Sequence, residues 1–419
     1  MNDEKPTSGP SARPRIAEPR FGEFVVIVAL MMGVTAFAVD SILPAFPVLG
    51  RDFAVADPNR LQLVVFVYML GFGAAQLFYG PASDVVGRRP SYLVGAAIFV
   101  AGSILTLLAQ DLTTLLVARF VQGLGAAAGR VLSVTIVRDR FSGREMARVM
   151  SLNMGIFITV PVLAPAIGSL IMLAGGRQAL FASMLLVGIA LAAWFWRRMP
   201  ETLSEANRMP FSAARILAGM KTVASTRLTM GYATAGGLFF GCVMAMVGSS
   251  QQIFAETFGL GAWFPLAFAV MAGSMGLASI VNSALVMRHG MRLISHASIV
   301  LLVALSLVQL LCALAFSGTP PVLVFSGIMA LSQFLLGMAF PNFNAIAMEP
   351  LGKLAGTASS LLGVYTTLLA VLFGALIGAA FDGTVIPIAI GYCGLALAAF
   401  AVVLLTERGR LFQPQHAPS

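Results

Sequence analysis

One carboxylate stands alone inside an apolar run of more than twenty residues. In residues 24–46 (FVVIVALMMGVTAFAVDSILPAF), Asp40 is the single ionisable group. A charge in hydrocarbon is costly, so such a residue marks a path for ions or substrate. The chemistry it offers is proton exchange: desolvation favours the neutral acid, and a nearby cation favours the carboxylate. A proton and a cationic substrate then compete for one site. Arg119 is the complementary group. It lies about six residues, roughly 9 Å, from the outer end of the apolar run 113–135, and Asp40 lies roughly 24 Å from the inner end of its own run. In a slab about 30 Å thick those depths nearly coincide, which predicts an ion pair, direct or through water. The other reading of Asp40 is a turn residue beside Pro44, where the helix breaks early. Arg130, lower in the same run as Arg119, reads as snorkelling to the interface. Glu23, at the inner mouth of the first run, is a second acid and reads as a solvated interfacial residue.

The elements that hold these groups follow from composition. Of 419 residues, 58% are hydrophobic and 10% charged, against about 45–50% and about 25% in a soluble domain. That excludes a soluble enzyme, a nucleic-acid binder and a disordered chain. Apolar runs long enough to span occur at about 24–46, 61–80, 92–110, 113–135, 149–173, 178–197, 228–250, 263–286, 294–316, 321–346, 355–380 and 386–406. They are continuous and too long for the alternating strands of a membrane barrel. The expected fold is an all-α polytopic membrane protein with twelve transmembrane helices in two six-helix bundles. The divisions are a tail at 1–20, a bundle at 21–197, a central loop at 198–227, a bundle at 228–406 and a tail at 407–419. The first 20 residues are polar and Pro-rich and precede a full-length span, so no cleaved signal is read.

Charge gives the orientation. With the N-terminus inside, 21 of the 26 Lys and Arg fall in inner segments, three (Arg51, Arg60, Arg177) in outer loops, and Arg119 and Arg130 in a span. Both termini are therefore expected on the cytoplasmic side of the membrane. The net charge of +9 belongs to that face and calls for no nucleic-acid partner. Cys242, Cys312 and Cys393 lie in separate spans as packing residues, and His289, His296 and His416 make no metal pattern, so neither metal nor cofactor is expected. No reactive constellation gathers at one interface, so the chain does not read as an enzyme.

Several segments carry a resemblance. Gly80-Pro81-Ala82-Ser83-Asp84-Val85-Val86-Gly87-Arg88-Arg89-Pro90 joins spans two and three. Its glycines permit a tight turn, and Asp84 can accept hydrogen bonds from basic groups. A shorter echo, Arg288-His289-Gly290-Met291-Arg292, follows span eight. That echo apart, the 80–90 segment, Asp40-Ser41-Ile42-Leu43-Pro44, Arg119-Phe120-Val121-Gln122-Gly123, Ala164-Pro165-Ala166-Ile167-Gly168, Pro200-Glu201-Thr202-Leu203 and Met348-Glu349-Pro350-Leu351-Gly352 resemble the major facilitator superfamily. Within it they resemble the Bcr/CflA drug-resistance group of 12-span proton antiporters, over roughly residues 21–406. Ala164 and Ser169 depart from the glycines of the broader antiporter motif. The resemblance implies alternating access, export driven by inward proton flow, Asp40 and Arg119 in proton coupling, and gating by Gly80, Asp84, Gly87, Arg88, Arg89, Pro165 and Gly168.

Uncharged polar residues inside spans are the candidate substrate contacts: Tyr68, Gln122, Asn153, Tyr232, Gln333, Asn342, Asn344 and Tyr365. The expected cargo is a small hydrophobic or cationic drug, and the expected partners are protons, that cargo and membrane lipid, with the chain acting as a monomer. The alternative is a proton-coupled carrier of one metabolite, such as an amino acid, sugar or organic acid.

Overall fold

The computed structural model describes residues 18–208 and 212–412. The first span is α1 (Phe21–Asp40), a 3-10 turn at Leu43–Ala45, and a short α2 (Phe46–Asp52). The α-helix stops at Asp40 for a local reason. Pro44 has no N–H, and its ring collides with the carbonyl four residues back, which is that of Asp40 itself. Then follow α3 (Leu63–Val86), α4 (Arg88–Leu108), α5 (Leu112–Arg140) and α6 (Gly143–Arg198). The rest are α7 (Ala213–Ser225), α8 (Arg227–Gln251), α9 (Phe264–His289), α10 (Met291–Ala315), α11 (Val322–Met348), α12 (Ala355–Ala379) and α13 (Ile386–Thr406).

Among the described residues, eleven helices are long and apolar enough to cross a membrane, where the sequence predicts twelve spans. The difference lies in α6, a helical run of 56 residues that leaves helical geometry at Gly175 and Gly176. Gly176 has φ +62° and ψ −159°, a region essentially reserved for glycine. The chain doubles back there. Phe141, just before α6, packs edge-on against Phe24, and Arg198 at its other end bonds Glu23, so both ends of α6 meet the first turn of α1. Spans five and six are therefore two arms of one hairpin, and the crossings number twelve. The central loop expected at 198–227 also differs, since it carries α7, which packs on α8 and α12.

The two sets of six crossings repeat one packing scheme. In the first, α3 and α4 pack on α5, α1 on α5 and α6, and α4 on α6. In the second, α9 and α10 pack on α11, α8 on α11, α12 and α13, and α10 on α13. The halves meet along α3 with α12 and along α6 with α9, a pair of contacts related by the same repeat. The short echo has a backbone counterpart too: Gly87 between α3 and α4 (φ +106°, ψ 160°) matches Gly290 between α9 and α10 (φ +81°, ψ 158°).

Close approach of helices depends on small residues. A Cβ built on Gly123 would fall inside the radius of the Tyr68 carbonyl oxygen, and one on Gly71 inside that of Phe120. The α3–α5 crossing is thus a reciprocal backbone contact with no room for a methyl group.

Candidate functional site

Asp40 sits at the break in α1 and is 5% exposed. The carbonyls of a helix's last turn lack onward partners, and at this break Arg119 supplies one. Its Nη2 donates to the Ala38 carbonyl at 2.9 Å and its Nε to the Val64 carbonyl at 3.2 Å. Nη1 donates to Gln122 Oε1 at 2.6 Å, and the guanidinium lies 4.4 Å from the centre of the Tyr68 ring. Gln122 in turn donates to Ser103 on α4 at 2.8 Å. The predicted depth match is observed, since Arg119 bonds a residue two positions from Asp40. The direct ion pair is not: among the described residues Asp40 and Arg119 share no bond, and the guanidinium is taken by the Ala38 carbonyl at the helix break and the Val64 carbonyl of α3. Gly168 on α6 closes the floor of this break, its missing side chain leaving room for the Ser41 carbonyl. Pro165, one turn before it, is buried and denies the Pro161 carbonyl its helical donor.

The turn between α3 and α4 builds a second centre at the end of the molecule where the first described residues lie. Arg88 is 4% exposed. Its Nε donates to Asp139 Oδ2 at 2.9 Å, and its Nη1 to Ser83 at 2.8 Å and to Asp84. Glu201, after α6, accepts the backbone N–H groups of Arg88, Arg89, Thr202 and Leu203 at 2.9–3.1 Å. Arg89 donates to the Trp196 carbonyl at 2.7 Å. One charge cluster therefore ties α3, α4, α5 and the end of α6 together. Gly80 looks the other way, toward the second half, where a Cβ would lie 3.0 Å from Ser360 Oγ on α12. Sequence reasoning missed Asp139 as the main partner of Arg88. Its signal was an acid flanked by Arg138 and Arg140 at the inner end of a span.

Gly87 gives a direct test of this centre. Its φ of +106° is strained for any L side chain, and a Cβ would press on Glu201 Oε2. Gly87→Ala is expected to cost about 1–3 kcal/mol from backbone strain alone, read as a lower melting temperature of the purified protein. An unchanged melting temperature would mean the turn relaxes without loss.

The expected substrate contacts divide into two groups. Asn342 exchanges amide bonds with Asn282 on α9 at 2.8 and 3.2 Å, Gln333 accepts from Tyr392 at 3.1 Å, and Tyr232 donates to Glu407 at 2.7 Å beside His296. These three are buried and committed to neighbours within the second half. Tyr365 shares a 2.9 Å bond with Thr234 and, like Asn344, is half-buried. The half-buried pair Phe240 and Phe340, whose rings lie 5.6 Å apart, belongs to the same half. In the first half, Tyr68 and Gln122 are absorbed into the Arg119 cluster, and Asn153 is buried with neither amide atom bonded. Glu23 is half-buried and paired: it holds Arg198 in two bonds of 2.7 and 2.8 Å and Trp194 in one of 3.0 Å.

A clamp between the halves was not foreseen. At the end away from Glu23 and Arg198, Gln62 donates to Gln252 Oε1 and to the Gly378 carbonyl (3.1 Å). Asn59 donates to the carbonyls of Phe381 at 2.8 Å and Ala379 at 3.3 Å, and accepts from Gln252 at 2.8 Å. Gln76 to Thr367, at 3.3 Å, is a further link about halfway along α3. The hydrogen bonds that join the halves therefore gather at this far end.

Comparison with known proteins adds the lineage. The model of the Major Facilitator Superfamily matches residues 28–375. "Multidrug resistance protein D" of Escherichia coli K12 is 31% identical over 357 residues, 81% of this chain and 84% of that protein. The "Bicyclomycin resistance protein homolog" of Haemophilus influenzae is 28% identical over 393 residues, 92% of this chain and 96% of that protein. Among solved structures, a partially occluded inward-open form of the xylose transporter XylE from E. coli superposes with a TM-score of 0.71 at 12% identity. It covers 94% of this chain and 99% of that one, a likeness of fold.

Proposed function

Because the chain belongs to the Major Facilitator Superfamily, and so is a multi-pass membrane transporter of small molecules, we propose that it exports small amphipathic drugs in exchange for protons. In this reading it acts as a monomer, and the two halves, 21–197 and 228–406, rock about their contact. The observation that carries the reading is Asp40: a buried carboxyl at a helix break, with no basic side chain bonded to it among the described residues, beneath a seal that joins the halves. The multidrug and bicyclomycin resistance proteins named above support the choice of cargo.

The positive-inside bias puts both termini in the cytoplasm of a bacterial inner membrane. The amide clamp then faces the outside, and the captured state opens inward. Cargo enters from the inside while Asp40 is ionised. Parting of Asn59 and Gln62 from the second half would admit a proton from outside, neutralise Asp40 and release cargo. Return to the inward state would discharge the proton. Binding energy differs between the two states only through such contacts, and those differences drive the cycle.

The test is flux in reconstituted vesicles with a panel of neutral, cationic and zwitterionic drugs, each with and without an imposed pH gradient. Accumulation of several unrelated compounds that collapses with the gradient is the expected result. Gradient-driven movement of one amino acid, sugar or organic acid, with no drug moved, would establish the metabolite carrier instead.

A further inference from the structure

Arg130 has a second reading besides snorkelling. It lies ten residues before the end of α5 at Arg140, roughly 15 Å along the axis from that end. Eleven residues separate it from Arg119, which is three turns plus about 20°, so the two share a face of α5. That face looks between α1 and α3, because Arg119 bonds the carbonyls of Ala38 and Val64 there. Val117, about 140° around the helix from Arg130, is 57% exposed on the outward side. At the level of Arg119 the helices close over the side chain, which is fully buried, whereas at the level of Arg130 the residue is exposed. Its side chain makes no hydrogen bond or ion pair with any described residue. By contrast, Arg88, Arg140, Arg177, Arg198 and Arg292 each hold a carboxylate.

An unpaired guanidinium at that depth is tolerable only where it borders water. It therefore lies on the wall of the space between the halves. The acids that could neutralise it are elsewhere. Asp40 is level with Arg119, Glu23 is held by Arg198, and Asp84 and Asp139 are held by Arg88. Asn153, ten residues into α6, stands at a matching depth with both amide atoms buried and unbonded. α1 runs between the two helices there, with Gly129 of α5 against Met31 and Val160 of α6 against Gly33. This level of the wall is positively charged, and no acid among the described residues answers it.

We propose that Arg130 is the anion subsite of the transport cavity, and that preferred cargo carries a carboxylate on an apolar, aromatic body. A guanidinium stays charged at every working pH and matches a carboxylate bidentately. The same charge disfavours permanent cations, which reverses the sign expected from Asp40 alone. The inference rests on the export reading for its physiological meaning, but its binding test does not.

The probes are tetramethylrhodamine with a free carboxylate and its methyl ester, which share one skeleton. Fluorescence anisotropy with the detergent-purified protein is expected to show the free acid binding about tenfold tighter than the ester, the scale of one charge-assisted hydrogen-bonded pair. Arg130→Gln should remove that preference, and Arg130→Lys should keep part of it. Equal affinities for the two dyes in the wild-type protein overturn the subsite even if the variants do not fold. So does a preference that survives Arg130→Gln. In proteoliposomes with the potential clamped, acid-selective flux under a pH gradient supports both ideas. Acid-selective binding with no gradient-driven flux of either dye keeps the subsite and refutes proton-coupled export.

Discussion

Asp40→Asn is expected to lower transport driven by a pH gradient by roughly 100-fold, the scale lost with a positioned proton carrier, while passive exchange of cargo across the vesicle persists. The two side chains have nearly one shape, so the helix end and its floor at Gly168 stay in place. The amide carries no titratable proton, so uphill movement has no coupling step. The structure sharpens the expectation for folding. Since Arg119 is held by two carbonyls and Gln122 and not by Asp40, removing the charge leaves no cation stranded. A melting temperature at or above that of the wild type is expected. Arg119→Ala should do the opposite, since it strips partners from buried acceptors at about 1–3 kcal/mol each, and protein yield should fall. Full pH-driven flux in Asp40→Asn would remove Asp40 from the coupling step.

The second large effect is steric. Gly123→Val places two methyl groups and a Cβ into the Tyr68 carbonyl, where backbone meets backbone and neither helix can yield alone. Overpacking of a filled site costs about 1–3 kcal/mol and occasionally more; here α3 would have to leave α5, so a loss of at least about 3 kcal/mol is expected. Gly155→Val is the matched control, because a Cβ on Gly155 meets nothing within 4 Å. Comparing detergent melting curves of the two variants checks this, and similar losses in both would show that helix propensity, not the α3–α5 contact, is at stake.

Much of the architecture was legible because each span is a continuous apolar run, a signal that survives ignorance of tertiary contacts. Span ends were less so. α5 continues to Arg140 through a basic segment that hydropathy excludes, and the fifth and sixth spans share one helical run because two glycines reverse it without a polar loop. For the site, depth arithmetic placed Arg119 level with Asp40, but depth carries no azimuth. The helix break at Pro44 also created acceptors that hydropathy does not see. The polar candidates failed to sort for a related reason. A polar residue in an apolar run can stay half-buried, as Tyr365 and Asn344 do, or bond across a helix pair, as Asn342 does with Asn282. The sequence pattern is the same for both. Asn59, Gln62 and Gln252 escaped notice because polar residues at the ends of spans are ordinary.

The reversal at Gly175 and Gly176 has a mechanical meaning. With no slack between them, the two arms of α6 cannot slide independently along the membrane normal, so the hairpin transmits force as a lever. Its first arm presses Gly168 on Ser41 beside Asp40 and bears on α9 of the opposite half. Its second arm grips Glu23 through Arg198 and Trp194 at the other end of α1. Both ends of α1 are thus braced by one hairpin that also packs on the opposite half, so in the proposed rocking cycle that span would turn as a strut and not bend at its break.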